Sequence, residues 1–463
     1  MISIKYKNII PAFCLLLLSL FSSLILLGVL SFDYSEMFTF AYLYSCIFVL
    51  VIGFNKKIKK FSAAMMVIYY LFIQAVGIPW AYIFSPNYVL KRIGTANNFY
   101  GEYIDKYIAL SLLSISIILL AMMFERKKNS LHLSNRYTDI NKKYQEELNK
   151  SFFKLGFFLL LFFTLYMLFE LFTGKLYIGN YTAYKSIYNV ILNYSKIGYW
   201  LSAIFICSCA TKKQILVSIF VFSIPSFLLI LTGSRNDFLY PLLIGIGIYS
   251  IRFRKSPKII IVLASFFVFF ISPFVIQFRT GNQLNRIDIV NNIFENVGLS
   301  LYEIGSQLSP VSFTFSWFEQ GEGYAWGATY FFGVVGLVLG AVFPSIRNYY
   351  ELSKYCIVNR LPGLGYSLSA ELYFNFGIIG VIIGSFIIGF FIFKYESCLI
   401  IENTKDILIY GFVMLWLLML VRNSFGYSFV YAIIFFALYY GVICFHRLRG
   451  DESIKHELIQ TYN

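Results

Sequence analysis

Residues 371–393 have the sequence Glu-Leu-Tyr-Phe-Asn-Phe-Gly-Ile-Ile-Gly-Val-Ile-Ile-Gly-Ser-Phe-Ile-Ile-Gly-Phe-Phe-Ile-Phe, and the one charged residue is the first. A helix needs about 20 predominantly apolar residues to cross a bilayer, and this stretch supplies them. Because comparable stretches recur along the chain, this pattern decides the fold class. The sequence predicts an all-α, polytopic integral membrane protein.

Twelve transmembrane helices are predicted. They lie at about residues 9–30, 37–54, 61–84, 106–124, 152–174, 188–210, 215–232, 237–251, 258–278, 371–393, 406–421 and 427–445. The chain then divides into helices 1–9 in residues 1–278, a large outward loop in 279–370, and helices 10–12 with a tail in 371–463. Within the loop, the apolar stretch 328–344 is predicted to be re-entrant or surface-lying, since a crossing there would move the basic tail to the outside.

The composition excludes a set of soluble domains. Of the 463 residues, 59% are hydrophobic and 13% are charged, against about 25% charged in an ordinary soluble domain. The seven cysteines and three histidines show no metal-ligand spacing, and no nucleotide-binding motif occurs. The sequence therefore predicts neither a metal site nor a cofactor.

The net charge of +15 would suit nucleic acid, but its distribution indicates membrane orientation instead. The basic segments are 55–60, 125–151, 211–214, 252–258 and the tail after residue 446. All of them fall on one side if each span crosses once. The positive-inside rule then places both termini in the cytoplasm, and no nucleic-acid partner is expected.

Arginine is over-represented on the opposite, outward side. Seven arginines are predicted there: Arg92, Arg235, Arg279, Arg286, Arg347, Arg360 and Arg422. The planar guanidinium suits phosphate and carboxylate groups and stays charged. A ring of these groups could hold a lipid-linked diphosphate. The alternative is that they anchor the protein at the membrane interface by snorkelling.

Two carboxylates are candidates for a general base. Glu371 opens the tenth span and shares a helix face with Asn375, four residues later. Glu303 lies in the outward loop and is the second choice. A carboxylate near an acceptor hydroxyl can take its proton. The alternatives are a helix N-terminal carboxylate for Glu371 and a solvated loop charge for Glu303.

Several motifs resemble those of the bacterial O-antigen polymerases, also called Wzy or oligosaccharide repeat-unit polymerases. The first is Gly-Ser-Arg-Asn at 233–236, directly after a span. The second runs from Gly365-Tyr366-Ser367 through Glu371 to Asn375-Phe376-Gly377. The third is Trp-Gly-Ala-Thr-Tyr at 326–330, ahead of Phe343-Pro344. Topology is similar over the whole chain, whereas the residue patterns are confined to about 232–240 and 279–380.

The resemblance implies a GT-C-like membrane glycosyltransferase at the periplasmic face of the bacterial inner membrane. Its substrates would be oligosaccharide repeat units linked to undecaprenyl diphosphate, joined into O-antigen or capsular polysaccharide. A chain-length regulator would be its protein partner, besides membrane lipid. Glu371 and Glu303 would be catalytic. The substrate-binding residues would be Arg235, Arg279, Arg286, Arg347, Arg360, Arg422, Tyr366 and Asn375.

Three other functions are compatible with parts of this pattern. An O-antigen ligase is expected to carry an outward histidine, whereas His132, His446 and His456 are predicted to be cytoplasmic. A flippase or exporter of lipid-linked oligosaccharides is expected to have an arginine-lined cavity through the bilayer. A structural membrane subunit would have no use for the outward arginines.

Overall fold

The computed structural model describes residues 9–54, 59–95, 103–123, 139–174, 190–232, 235–254, 293–361, 366–399 and 403–461. All regular structure in these ranges is helical, with short 3₁₀ turns at Ser306–Leu308 and Leu339–Ala341. The helices are α1 (Ile9–Leu26), α2 (Tyr34–Phe54), α3 (Ala63–Phe84), α4 (Pro86–Thr95), α5 (Ile104–Met123), α6 (Asp139–Phe172), α7 (Val190–Cys209), α8 (Lys212–Leu231), α9 (Arg235–Phe253), α10 (Ile293–Gly305), α11 (Ser309–Glu319), α12 (Ala328–Val338), α13 (Pro344–Leu352), α14 (Ile357–Arg360), α15 (Leu368–Cys398), α16 (Thr404–Leu420) and α17 (Phe425–Thr461).

Within the described ranges, eight helices are long and apolar enough to cross a membrane. They are α1, α2, α3, α5, α6, α8, α15 and α17. The predicted spans at 188–210, 237–251 and 406–421 occur as α7, α9 and α16, which fall short of that combination of length and apolar character. The span predicted at 258–278 lies outside the described residues. The multi-pass helical class is confirmed, whereas the number twelve is not.

Helix α5 is the central helix, because nearly all of its side chains are buried. It packs against α1 and α15. Small hydroxyl residues of α5 allow close approaches: Ser114 shares a hydrogen bond of 2.8 Å with Ser385 of α15, and Ser116 shares one of 2.9 Å with Tyr44 of α2. Small side chains that also satisfy each other's hydrogen bonds are typical of helix contacts within membranes.

The first half of the predicted loop is a helical hairpin packed into the bundle. Helix α10 lies against α3, and α11 returns against α5 and α15. At the turn, Gln307 accepts hydrogen bonds from Tyr70 and Gln74 of α3. The two ends of the hairpin contact Ser85, after α3, and Tyr103, before α5. This hairpin is not visible in the hydropathy pattern, because its polar residues interrupt the apolar stretches and face protein.

Two glycines allow α3 and α10 to touch. A Cβ atom at Gly77 would lie 2.6 Å from the carbonyl oxygen of Leu301, and one at Gly305 would lie 2.7 Å from the amide nitrogen of Ile78. We expect Gly77→Leu to lower the free energy of unfolding by about 1–3 kcal/mol through overpacking. Thermal unfolding in detergent measures this. Gly441→Leu is the control, because nothing lies within 4 Å of a Cβ there, and equal midpoints for the two variants would contradict the close crossing.

The stretch 328–344 forms α12, a 3₁₀ turn and the start of α13 at Pro344. With 11 residues, α12 is about 16 Å long, which is short of the roughly 30 Å hydrocarbon core. Helix α12 packs against α17, while Phe331 of α12 and Val342 and Phe343 after the 3₁₀ turn are exposed. This geometry agrees with a re-entrant or surface-lying element, and the side of the membrane stays a prediction.

Candidate active site

Helix α15 is broken at Gly377, where φ is +65° and ψ is −156°. This backbone region is essentially restricted to glycine. The break interrupts the helical hydrogen bonds and leaves the carbonyl groups of Phe374 and Asn375 without helical donors. They accept instead from the amide groups of Ala325 and Trp326, at 3.0 Å each. The loop before α12 is thereby fixed to the first part of α15.

Glu371 lies in this first part of α15 and is 1% exposed. Its Oε1 atom accepts a hydrogen bond of 3.0 Å from the Thr329 hydroxyl. Its Oε2 atom accepts one of 2.8 Å from the amide nitrogen of Phe425. No lysine or arginine of the described ranges forms an ion pair with it. The carboxylate therefore connects the first part of α15 to the beginnings of α12 and α17.

Asn375 completes this arrangement. Its side-chain amide donates to the Thr329 Oγ1 atom at 2.7 Å and to the Glu371 carbonyl oxygen at 2.8 Å. Its Oδ1 atom accepts from the Gly327 amide at 2.9 Å. Like Glu371, both Asn375 and Thr329 are buried. We call Glu371, Asn375, Thr329 and the amide groups of Gly327 and Phe425 the Glu371 cluster.

Arg422 follows directly after α16, and its backbone carbonyl accepts a hydrogen bond of 2.7 Å from the Tyr366 amide. Its side chain is partly buried. The guanidinium lies within electrostatic range of the Tyr240 hydroxyl on α9. Within the part of the chain that the structure describes, the guanidinium makes no hydrogen bond or ion pair. Arg422 thus offers a partly buried positive charge that no described carboxylate neutralises.

Two of the other predicted arginines are paired with carboxylates. Arg360 forms two hydrogen bonds with Glu322 and lies 3.6 Å over the Trp317 ring. Arg347 is 61% exposed and lies 2.8 Å from Glu351. Their charges are therefore largely neutralised by neighbours.

The remaining predicted arginines are less defined. Arg235 opens α9, but its side chain is not among those described. Arg279 and Arg286 lie outside the described residues. Their positions in the predicted ring stay predictions.

Tyr366 precedes α15 and is fully buried. Its hydroxyl shares a hydrogen bond with Thr314 at 3.0 Å and approaches the Ala370 carbonyl at 3.2 Å. Burial raises the pKa of the Tyr366 phenol well above its ordinary value, so the hydroxyl stays protonated. The structure therefore brings Tyr366, Glu371, Asn375, Arg360 and Arg422 into one region.

A polar path leads from Arg422 into the hairpin. The ring of Tyr240 packs edge-on against Tyr70 at 6.1 Å, and the Tyr70 hydroxyl donates to Gln307 at 2.8 Å. Glu303, the second predicted base, is partly exposed and lies one helical turn before Gln307. Thr329 lies in the motif at 326–330, but its contact with Glu371 is not visible in the sequence. Tyr240 and Gln307 were not among the predicted site residues, because only long-range contacts connect them to the others.

Several buried polar atoms along this path have no hydrogen-bond partner among the described residues. They are the Gln74 Oε1 atom and the hydroxyls of Tyr240, Ser309, Ser312, Ser424 and Ser428. A buried polar atom without a partner is costly, so such atoms call for a physical explanation. Their unused hydrogen-bonding capacity suits a ligand rich in hydroxyl groups. No cluster of three or more His, Cys, Asp or Glu side chains suited to a metal ion occurs in the ranges searched.

The fold and this region define a multi-pass helical membrane protein in which a partly buried guanidinium, not paired with any described carboxylate, lies near buried polar groups. The chain belongs to the family described as O-antigen polysaccharide polymerase Wzy, whose model matches residues 9–448. The Protein CapE of Staphylococcus aureus is 27% identical over 335 residues, which cover 71% of this chain and 72% of that protein. No solved structure matches the chain.

Membership of this family confirms the resemblance seen in the sequence motifs. The protein polymerises polysaccharide repeat units by a glycosyl-transfer type of reaction, with lipid-linked oligosaccharides in the membrane as substrates. The ligase and flippase alternatives receive no comparable support.

Proposed function

We propose that this chain joins repeat units carried on undecaprenyl diphosphate, at the periplasmic face of a bacterial inner membrane. Family membership supports polymerisation, and the distribution of basic loops favours cytoplasmic termini. A GT-C type of architecture and a chain-length regulator as partner belong to the same proposal. The product is an O-antigen or a capsular polysaccharide.

The proposed reaction is a displacement at the anomeric carbon of the growing chain. A hydroxyl oxygen at the non-reducing end of the new unit forms the glycosidic bond. The bond between the anomeric carbon and the diphosphate oxygen breaks, and its electron pair leaves with undecaprenyl diphosphate. The hydroxyl proton passes to a carboxylate. The leaving diphosphate gains negative charge, which a preorganised cation stabilises.

The guanidinium of Arg422, partly buried and without an anionic partner among the described residues, is the observation that carries this proposal. Its planar donors fit a diphosphate, and partial burial strengthens electrostatic attraction relative to bulk water. Arg360 and Arg347 already hold carboxylates. Arg235 begins the helix that carries Tyr240, so we propose that it joins Arg422. Arginine stabilisation requires no metal, and we propose a metal-independent reaction.

Glu303 is the better placed of the two predicted bases. It is partly exposed and precedes Gln307, which Tyr70 and Tyr240 connect to the neighbourhood of Arg422. Glu371, the first choice from the sequence, is enclosed by protein. A base must come within hydrogen-bond reach of the hydroxyl that it deprotonates, which favours the accessible carboxylate.

Deletion of the gene in its host tests the function. Loss of a polymerase leaves single repeat units attached to their final acceptor, whereas loss of a ligase or a flippase leaves the acceptor bare. We expect single units after deletion and a restored ladder on complementation. The purified protein in bilayers should convert lipid-linked units into a ladder and release undecaprenyl diphosphate, with a metal chelator present. A bare acceptor after deletion would contradict the proposal.

A further inference from the structure

We propose that Glu371 is a positioning residue, whose carboxylate holds the segment that carries Arg422 and does not receive the substrate's proton. This proposal rests on the proposed function, because it assigns Glu371 a role in the same site. It differs from the sequence-based expectation, which made Glu371 the first choice as general base.

Two hydrogen bonds hold the segment between α16 and α17 against the first part of α15. The Tyr366 amide donates to the Arg422 carbonyl oxygen at 2.7 Å, and the Phe425 amide donates to the Glu371 carboxylate at 2.8 Å. Arg422 itself makes the first of these bonds, and Phe425, three residues later, makes the second. The position of the guanidinium relative to α15 therefore depends directly on Glu371.

The Phe425 amide opens α17, and the first amide groups of a helix have no partner within the helix. A carboxylate satisfies such a group and interacts favourably with the positive end of the helix dipole. Loss of Glu371 would leave this amide without an acceptor inside the protein. The start of α17 would then move, and Arg422 with it.

The other carboxylate oxygen is also engaged. It accepts from Thr329, whose own oxygen accepts from Asn375. The titratable groups within electrostatic range of the carboxylate are the phenols of Tyr330, Tyr350 and Tyr366. Because Glu371 is 1% exposed, a sugar hydroxyl could reach its carboxylate only if the surrounding protein moved. This enclosure suits a group that holds protein segments together.

Comparison of Glu371→Gln with Glu371→Ala separates the two roles. The glutamine carbonyl oxygen still accepts from the Phe425 amide, so we expect a polymerisation rate within about tenfold of the unsubstituted protein. Alanine leaves two buried donors without acceptors, and we expect a loss of about a hundredfold or more. The rate of the Glu371→Gln variant should also fall at low pH as in the unsubstituted protein, because another carboxylate serves as the base. If Glu371 were the base, both variants would be equally inactive.

Binding of inorganic diphosphate to the purified protein provides a second measurement. We expect Glu371→Ala to weaken this binding by about tenfold, because Arg422 is displaced. Arg422→Ala should weaken the binding as well. Loss of a proton acceptor alone would leave diphosphate binding unchanged. Should Glu371→Ala fail to fold, Thr329→Val removes the other donor to the carboxylate and should weaken binding several-fold, whereas Thr329→Ser should not.

Two results would overturn the positioning role. One is a Glu371→Gln variant as inactive as Glu371→Ala with normal diphosphate binding; the other is normal activity in both variants. Either result leaves the proposed function intact, since the unsubstituted protein would still make polymer. Absence of polymer from the unsubstituted protein would instead defeat the proposed function.

Discussion

Substitution of Arg422 by alanine is expected to stop polymer growth, with at least about a hundredfold lower rate of transfer. Removal of one preorganised donor from a developing anion costs about 2.7–4 kcal/mol in the activation barrier. Arg422 is not engaged by any described carboxylate, so its charge remains available to the leaving diphosphate. The rate is measured as growth of the polysaccharide ladder from lipid-linked units in membranes that contain equal amounts of protein.

Two further substitutions sharpen this result. Arg422→Lys keeps the charge but loses the planar fork, so we expect an intermediate rate. Arg347→Ala is the matched comparison, because its side chain is exposed and paired with Glu351 on the same helix. Such surface pairs contribute about 0.3–0.5 kcal/mol, and we expect a nearly normal ladder. Wild-type polymer from Arg422→Ala, or equal losses in both alanine variants, would remove Arg422 from the site.

Gly377→Ala is expected to cause the second large effect, a loss of both stability and polymer. The φ and ψ angles of Gly377 are +65° and −156°, and such a conformation costs other residues about 1–3 kcal/mol. A Cβ atom there would also lie 2.9 Å from the Tyr324 hydroxyl. If α15 straightened to relieve this strain, the carbonyls that hold Ala325 and Trp326 would return to helical hydrogen bonding. Thr329 would then be displaced from Glu371.

Thermal unfolding in detergent and the polysaccharide ladder together measure this effect. Gly53→Ala is the control, because a Cβ there has nothing within 4 Å. The double variant Gly377→Ala with Tyr324→Ala removes the side-chain contact and leaves the backbone strain. We expect it to remain destabilised and inactive. A return to the stability of the unsubstituted protein would show that the contact, and not the broken helix, made glycine necessary.

The proximity of Glu371 and Asn375 can be read from the sequence because their relation is local. Glu371 and Asn375 are one helical turn apart, and in the structure both side chains contact Thr329. The break at Gly377 was not predicted, although glycine at this position was part of the motif. Its conformation is fixed by Ala325 and Trp326, which lie about fifty residues earlier in the chain.

The roles of the arginines could not be separated from the sequence. Arg347, Arg360 and Arg422 have the same chemistry and the same predicted side. Arg360 is paired with Glu322, 38 residues away, whereas Arg422 faces Tyr240 of a different helix. The hairpin at 293–319 was assigned to a loop because hydropathy does not reveal whether a polar side chain faces water or another helix.

The amino-acid sequence by itself determined that this chain is a multi-pass helical membrane protein, and its motifs identified the polymerase family. The preference of a segment for the bilayer is a sum over its own residues, so a stretch of about 20 residues is enough to reveal it. Only the tertiary structure decided that Glu371 is enclosed and that no described carboxylate pairs with Arg422. Burial and pairing depend on which distant segments pack together, and the free energy of a charge is set by those neighbours.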